Sequence, residues 1–243
     1  MEIVITMAGL GSRFTKAGYK VPKYMIPAKG KSLFEWSMES LEGFGDDNTY
    51  YLIVRGEDGA DDFLEEACKK AGIRDHRLIT LPAPTDGQAT TARLAATFWD
   101  PDKPLLIYNI DTYVESGAMN AGQIDGDGWI PCFRAPGDHW SFVKLDEKGW
   151  ATEVTEKVRI SDHCTLGAYY FKSCALYEEL YREFYEEGRC AGLTGAAGKE
   201  RYVAPLYNYL ISKGGHVTVT DVPEEKVHVL GTPEELQVFL NEA

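Results

Sequence analysis

The first strand-like run of the chain leads directly into Met7-Ala-Gly-Leu-Gly-Ser-Arg-Phe14. Glycines at 9 and 11 permit a tight turn and close approach of the backbone to a phosphate, and successive N–H groups in such a turn form an anion nest. Arg13 sits inside that turn, with a fixed fork of donors suited to phosphate oxygens. Nine residues on, Val21-Pro-Lys-Tyr-Met-Ile-Pro27 carries Lys23 between two prolines, which predicts an extended segment holding the ammonium at a defined place. A third charged group, Asp111, ends the apolar run Leu105–Ile110, where a carboxylate can hold Mg²⁺ together with phosphate oxygens. Each has a plainer alternative: a G-x-G turn without ligand, a surface lysine, an aspartate capping the next helix. The loop fits neither G-x-x-x-x-G-K-[ST] nor G-x-G-x-x-G, whose last position here is Phe14. Residues 3–34 hold no Asp or Glu but six Lys and Arg (Arg13, Lys16, Lys20, Lys23, Lys29, Lys31) in a chain of net charge −13, a pattern suited to a small anionic ligand held locally.

To position these groups the chain needs strands that end side by side. Strand-like runs at Ile3–Met7, Tyr50–Val54, Arg77–Leu81 and Leu105–Ile110 alternate with helical patterns at Ser32–Leu41, Asp61–Ala71 and Gln88–Phe98. Ser32 and Glu35 form a capping-box signature, followed by Phe34, Met38 and Leu41 at helical spacing. Such alternation predicts a parallel sheet covered on both faces. In open sheets of this kind ligands bind beyond the carboxyl ends of the strands, which puts the 8–15 loop and Asp111 at one crevice. After residue 111 the rhythm changes to short runs at Trp129–Phe133, Ser141–Leu145, Ala151–Thr155 and Leu166–Phe171, read as antiparallel additions. Helices are expected near 174–187 and 200–213, strands near 216–221 and 227–230, and a closing helix at 232–242 with Thr232 as cap and Pro233 in the first turn. The expected architecture is one α/β domain over 1–243 with a mixed, mostly parallel sheet sandwiched by helices, its 1–111 half binding nucleotide and its 112–243 half the acceptor.

Composition narrows the function classes. The chain has 243 residues, 44% hydrophobic and 26% charged, close to the globular average. A net charge of −13 argues against nucleic-acid binding by general electrostatics. No run approaches the ~18 apolar residues of a membrane span, and no secretory leader pattern opens the sequence. The cysteines (68, 132, 164, 174, 190) are odd in number and form no C-x-x-C pair, and the histidines (76, 139, 163, 216, 228) show no zinc-type spacing. These features predict a cytoplasmic protein with free thiols and no membrane partner; a homo-oligomer is compatible with them.

Gly9-Leu-Gly-Ser-Arg13, Pro22-Lys23, Ile26-Pro27 and Lys31-Ser-Leu-Phe-Glu-Trp36 resemble the signature of the sugar-phosphate nucleotidyltransferases, the nucleotide-sugar pyrophosphorylases, in particular members from capsule and surface-polysaccharide gene clusters. The resemblance continues through Asp86-Gly87-Gln88, Leu105–Asp111, Val154-Thr-Glu156-Lys157, Gly167–Phe171 and Val229-Leu-Gly-Thr-Pro-Glu-Glu-Leu236, and so covers nearly the whole chain. It implies a Rossmann-like GT-A fold and transfer of a nucleoside monophosphate from an NTP, with a pyrimidine base preferred, to a sugar-1-phosphate or related phosphate ester. Ala8, Gly9, Gly11, Ser12 and Arg13 would hold the nucleotide phosphates, and Gly87 and Gln88 would contact the base. Arg13 and Lys23 would be catalytic, Asp111 would bind Mg²⁺, and Glu156, Lys157 and Gly167 would hold the acceptor. Many relatives place a second aspartate at the position of Val229, which cannot ligate; Asp111 is then the one metal carboxylate expected here, unless Asp221 or another acid reaches in. Two other readings stay open: a GT-A glycosyltransferase using a preformed nucleotide sugar, and a cytidylyltransferase acting on a non-sugar phosphate.

Overall fold

Ile3, Val4 and Ile5 are fully buried, and their side chains alternate between two separate cores, which is possible only for a strand covered on both faces. The computed structural model describes residues 1–190, 192–194 and 200–242. Its strands are β1 (Glu2–Thr6), β2 (Pro27–Ala28), β3 (Lys31–Ser32), β4 (Thr49–Arg55), β5 (His76–Leu81), β6 (Leu105–Asn109), β7 (Thr112–Val114), β8 (Gly128–Phe133), β9 (Ser141–Leu145), β10 (Ala151–Glu156), β11 (Cys164–Thr165), β12 (Ala168–Phe171), β13 (Val217–Asp221) and β14 (Val227–Val229). Its α-helices are α1 (Ser12–Lys16), α2 (Leu33–Glu39), α3 (Asp61–Lys70), α4 (Gln88–Arg93), α5 (Cys174–Tyr181), α6 (Ala204–Ser212) and α7 (Pro233–Asn241).

The main sheet runs β10-β9-β11-β8-β12-β6-β1-β4-β5, with β13 joined to β8. The four strands β6, β1, β4 and β5 are parallel, while β12 adds antiparallel to β6. The chain moves outward from β1 to β4 and β5, then returns to lay β6 on the other side of β1. That reversal makes the carboxyl ends of β1 and β6 the switch point where an open α/β sheet leaves a crevice. One face of the sheet is covered by α2 and α3, through Phe34, Met38, Leu64 and Cys68, and the other by α4, α5 and α6, through Ala89, Ala92, Tyr177, Leu180, Leu206 and Tyr207. The five cysteines are all buried, free thiols. Among the described residues, no helix is long and apolar enough to cross a membrane.

A third, smaller core lies beside the crevice. Phe14 of α1, Ile26, Ala28, Leu33, Tyr113 and the α7 residues Leu236 and Phe239 pack together there. It ties the amino-terminal loop to the closing helix, over two hundred residues apart in sequence.

Several expected elements take a different form. The Lys23 segment is not extended throughout: Lys23–Met25 coil into a 3₁₀ turn, while Pro22 and Ile26 keep extended ψ values of 146° and 126°. Proline restricts the residue before it, here Val21 and Ile26, and leaves Lys23–Met25 free to turn Tyr24 into the core. The helix expected over Gln88–Phe98 is α-helical only to Arg93 and finishes as a 3₁₀ turn at Leu94–Thr97. Beyond Arg93 the large apolar side chains Leu94 and Phe98 face solvent, so no burial rewards a further α turn. The 174–187 helix ends in a π turn at Arg182–Glu186, which buries both Glu183 and Phe184. The helix expected from 200 begins at Ala204, where Pro205 sets its first turn. Asp111 caps no helix, because the chain continues into β7, which pairs with β14.

Candidate active site

β1 ends at Thr6, in register with Asn109 of β6, so the loops that follow both strands open side by side. Gly11 takes the left-handed conformation, φ 58°, and starts α1. Phe14 is buried, which anchors this short helix and leaves Arg13 exposed toward the cleft, with no ion pair among the described residues. The 3₁₀ turn is fixed from beneath by Tyr24, whose hydroxyl donates to Asp58 Oδ2 at 3.0 Å, and Asp58 is itself held by Arg55 at 2.7 Å. This scaffold presents Lys23: its Nζ lies 5.6 Å from the Phe14 ring centre and donates to Asp111 Oδ1 at 2.6 Å. The lysine side chain is 11% exposed and the aspartate 53%, so the cation is seated in the wall while the carboxylate faces solvent.

A cleft of about 1360 Å³ opens over these groups. Ala8, Gly9, Gly11, Ser12, Arg13, Lys23, Gly87, Gln88, Asp111, Glu156 and Gly167 all line it. Gln88 Nε2 donates to Thr6 Oγ1 at 3.1 Å, which ties the start of α4 to the end of β1. Gly87 is required by close approach. Its φ is 154°, and a Cβ there would fall 2.3 Å from the carbonyl oxygen of Arg201. The Asp86-Gly87 turn is bound to that neighbour by Arg201 N–H to Asp86 O (2.8 Å) and Ala89 N–H to Arg201 O (2.9 Å). Asn109 N–H donates to Gly167 O at 3.1 Å, joining the two halves across the floor.

Lys157 is placed differently. It is not among the lining residues; its backbone adopts φ 57° just past β10, which breaks the strand's alternation and sends the side chain to the rim. There Nζ donates to Tyr202 Oη at 2.9 Å and lies 3.6 Å from Glu156. Asp221 is not in the cleft either: it pairs with His163 at 2.8 Å and Arg134 at 3.6 Å.

The sequence did not single out Ser141, Thr165 and Tyr169, which surround Glu156. Ser141 Oγ donates to Glu156 Oε2, and Tyr169 Oη lies 3.3 Å from Ser141 Oγ and 3.2 Å from Thr165 Oγ1. Three strands, β9, β11 and β12, bring these hydroxyls together, so no local spacing could signal them. Burial pushes the Glu156 carboxyl above its ordinary range, against the opposing pull of the Ser141 hydroxyl and the Lys157 ammonium. A carboxyl whose folded pKa is raised contributes stability that is fully present below the unfolded pKa and lost as pH rises through the folded one. Glu156→Gln is therefore expected to raise the melting temperature at pH 7 relative to the parent, a shift read by thermal denaturation and absent at pH 4.

Among the described residues no cluster of three or more His, Cys, Asp or Glu could hold a metal ion. The hard oxygen donors at the cleft do suit Mg²⁺, which commonly takes one or two carboxylates and leaves its other positions to phosphate and water. Asp111 Oδ2 is not engaged by Lys23, and it faces Gly231, where a Cβ would stand 3.7 Å away in van der Waals contact.

An open α/β sheet with a glycine-arginine loop and a lysine–aspartate pair at its switch point is the architecture of the doubly wound class, whose ligands bind in that crevice. The nucleoside-diphosphate-sugar pyrophosphorylase of Vibrio cholerae RC9 has the same fold, with a TM-score of 0.88 and 34% identity over 99% of this chain and 100% of that one. The chain belongs to the nucleoside-diphosphate-sugar pyrophosphorylase family and is a nucleotidyltransferase. Two more distant structures share the fold: the inositol-1-phosphate CTP transferase of T. maritima (TM-score 0.76, 15% identity, 98% and 93% of the two chains) and HddC of Yersinia pseudotuberculosis (0.66, 18%, 98% and 97%). No family model and no curated protein sequence matches the chain.

Proposed function

We propose that this enzyme transfers a nucleoside monophosphate from a pyrimidine NTP to a sugar-1-phosphate or related phosphate ester, releasing pyrophosphate, as a cytoplasmic step in making a surface-polysaccharide precursor. The observation that carries the reading is the 2.6 Å contact of Lys23 with Asp111, 88 residues apart, beside Arg13 in one cleft. A phosphate-seeking cation and a metal-seeking carboxylate held together suit displacement at phosphorus. Arg13 and Lys23 have no evident part in glycosyl transfer, where no pyrophosphate leaves.

The acceptor phosphate is largely dianionic at pH 7, since its second pKa is ~6, so it attacks the α-phosphorus without a general base. The bond to the β-phosphate breaks, and pyrophosphate departs with the electron pair. Catalysis is then positioning and charge neutralisation. Ala8, Gly9, Gly11 and Ser12 offer the loop on which the phosphates rest. Arg13 neutralises the leaving β- and γ-phosphates. Lys23 moves its hydrogen bond from Asp111 to the α-phosphate and the incoming oxygen. Mg²⁺ held by Asp111 would supply Lewis-acid stabilisation of charge on the α-phosphate. Gln88 and Gly87 border the base. Glu156, supported by Ser141, accepts acceptor hydroxyls, Gly167, whose missing side chain leaves room for that of Asn109, borders the acceptor at the floor, and Lys157 serves from the rim. This assigns 1–111 to the nucleotide and 112–243 to the acceptor.

The test is pyrophosphate release from five NTPs against hexose-1-phosphates, polyol phosphates and amino-alcohol phosphates. Release with a pyrimidine NTP and one ester class supports the reading. Turnover of a preformed nucleotide sugar without pyrophosphate release overturns it. In the same assay Glu156→Gln is expected to raise the acceptor KM with little change in the NTP KM; an equal loss for both substrates contradicts its placement.

A further inference from the structure

We infer that Glu235 is a second carboxylate for the divalent cation at Asp111, an inference that rests on the nucleotidyltransferase reading of the cleft. Val229 lines the cleft and pairs with Thr112, the residue after Asp111, but it offers no donor oxygen. The donor comes from further along the chain. Glu235 lies in the first turn of α7, where its N–H donates to Thr232 Oγ1 at 3.2 Å. At this position a glutamate ordinarily folds back onto the capping residue's N–H. Glu35 does this at α2, accepting from Ser32 N–H at 2.7 Å. Glu235 does not: its Oε2 is buried, lacks a hydrogen-bond partner among the described residues, and belongs to a side chain that lines the cleft.

The direction of that oxygen gives it a use. A Cβ on Gly231 would stand 3.1 Å from Glu235 Oε2 and 3.7 Å from Asp111 Oδ2, so both oxygens border the small space that this glycine leaves open. Asp111 Oδ1 is taken by Lys23, and Oδ2 is the oxygen turned toward that space. The arrangement is rigid. Leu230 N–H donates to Asp111 O at 2.7 Å, β14 is paired to β7, and Leu236 and Phe239 bury α7 in the small core. A buried carboxylate oxygen without a donor is unfavourable, and two carboxylates facing one space repel. A hard cation between them relieves both, with substrate phosphates and water completing its coordination.

The probe is Mn²⁺, titrated into the nucleotide-free full chain and followed by electron paramagnetic resonance. The parent is expected to bind one ion. Asp111→Asn and Glu235→Gln are each expected to weaken binding by at least about tenfold. Glu235 makes no capping hydrogen bond that glutamine would lose, so the melting temperature of Glu235→Gln should not fall. Gly231→Ala gives a second arm, crowding the space between the two carboxylates without replacing either, and should weaken binding as well. No ion bound by the parent, or parent-like binding by Glu235→Gln, overturns the proposal. Pyrophosphate release by the parent separates the two readings. Turnover with parent-like Mn²⁺ binding by Glu235→Gln leaves the function standing and removes Glu235. Mn²⁺ binding lost in both variants, without turnover of any NTP by the parent, leaves the carboxylate pair standing and removes the function.

Discussion

Lys23→Ala is expected to lower kcat by about 10²–10³-fold with the fold intact, the usual effect of removing one preorganised donor from a site of developing charge. The lysine is buried in the wall but its ammonium is spent on Asp111, not on the core, so the folded protein loses one ion pair. Because that pair occupies one aspartate oxygen, its removal frees a ligand. Lys23→Ala should therefore bind Mn²⁺ at least as tightly as the parent while turning over slowly, a combination that misfolding cannot produce. Arg13→Ala is expected to fall in the same range, with no change in melting temperature, because the side chain is exposed and unpaired among the described residues. Single-turnover kinetics on samples checked by circular dichroism decides the matter. Near-parent kcat in either folded variant would sink the role assigned to that residue.

Gly87→Ala is expected to cost on the order of 3 kcal/mol of stability and to open one wall of the cleft. The added Cβ would meet the oxygen, nitrogen and carbonyl carbon of Arg201 at 2.3, 2.5 and 2.7 Å, and backbone atoms cannot swing aside as a side chain can. Relief requires the 200–202 segment to move, with loss of two backbone hydrogen bonds and strain on the 3.0 Å ion pair of Arg201 with Asp86. At this chain length the melting temperature should fall by about 6–12 °C. Glu200 and Tyr202, which line the cleft, would move with the segment. KM values should therefore rise for NTP and acceptor together, unlike the one-sided effect of Glu156→Gln. An unchanged melting temperature and parent-like KM values would show that the turn has more freedom than its contacts imply.

Much of the cleft around the glycine loop was legible because its parts are local. The short apolar runs marked which segments are strands, and the capping box at Ser32 marked where α2 begins. Arg13 and Lys23 stand close in sequence to the glycine turn that orients them. The alternation of strand and helix up to residue 111 specified a parallel sheet, since parallel strands need long crossovers. A carboxylate after the fourth such strand then had one end of the sheet to occupy.

The end of the cleft around Glu156 was not legible in this way, and the reason is physical. Ser141, Thr165, Tyr169 and Glu156 each carry an ordinary residue in an ordinary strand, and only the lateral order of β9, β10, β11 and β12 makes them neighbours. Lys157 was drawn toward the site by its place next to Glu156, but a single left-handed residue at a strand end redirects a side chain, and no residue type at that position announces it. Glu235 reads locally as a capping glutamate. Its different use follows from Phe14, Leu236 and Phe239 packing α7 against the first loop, and from Gly231 having no side chain to fill the space between. The sequence by itself determined the class of fold, the glycine loop and the charges that flank it, because these depend on spacing within one segment. The tertiary structure alone decided which carboxylates and hydroxyls converge, because that depends on the burial of apolar faces from segments far apart in the chain.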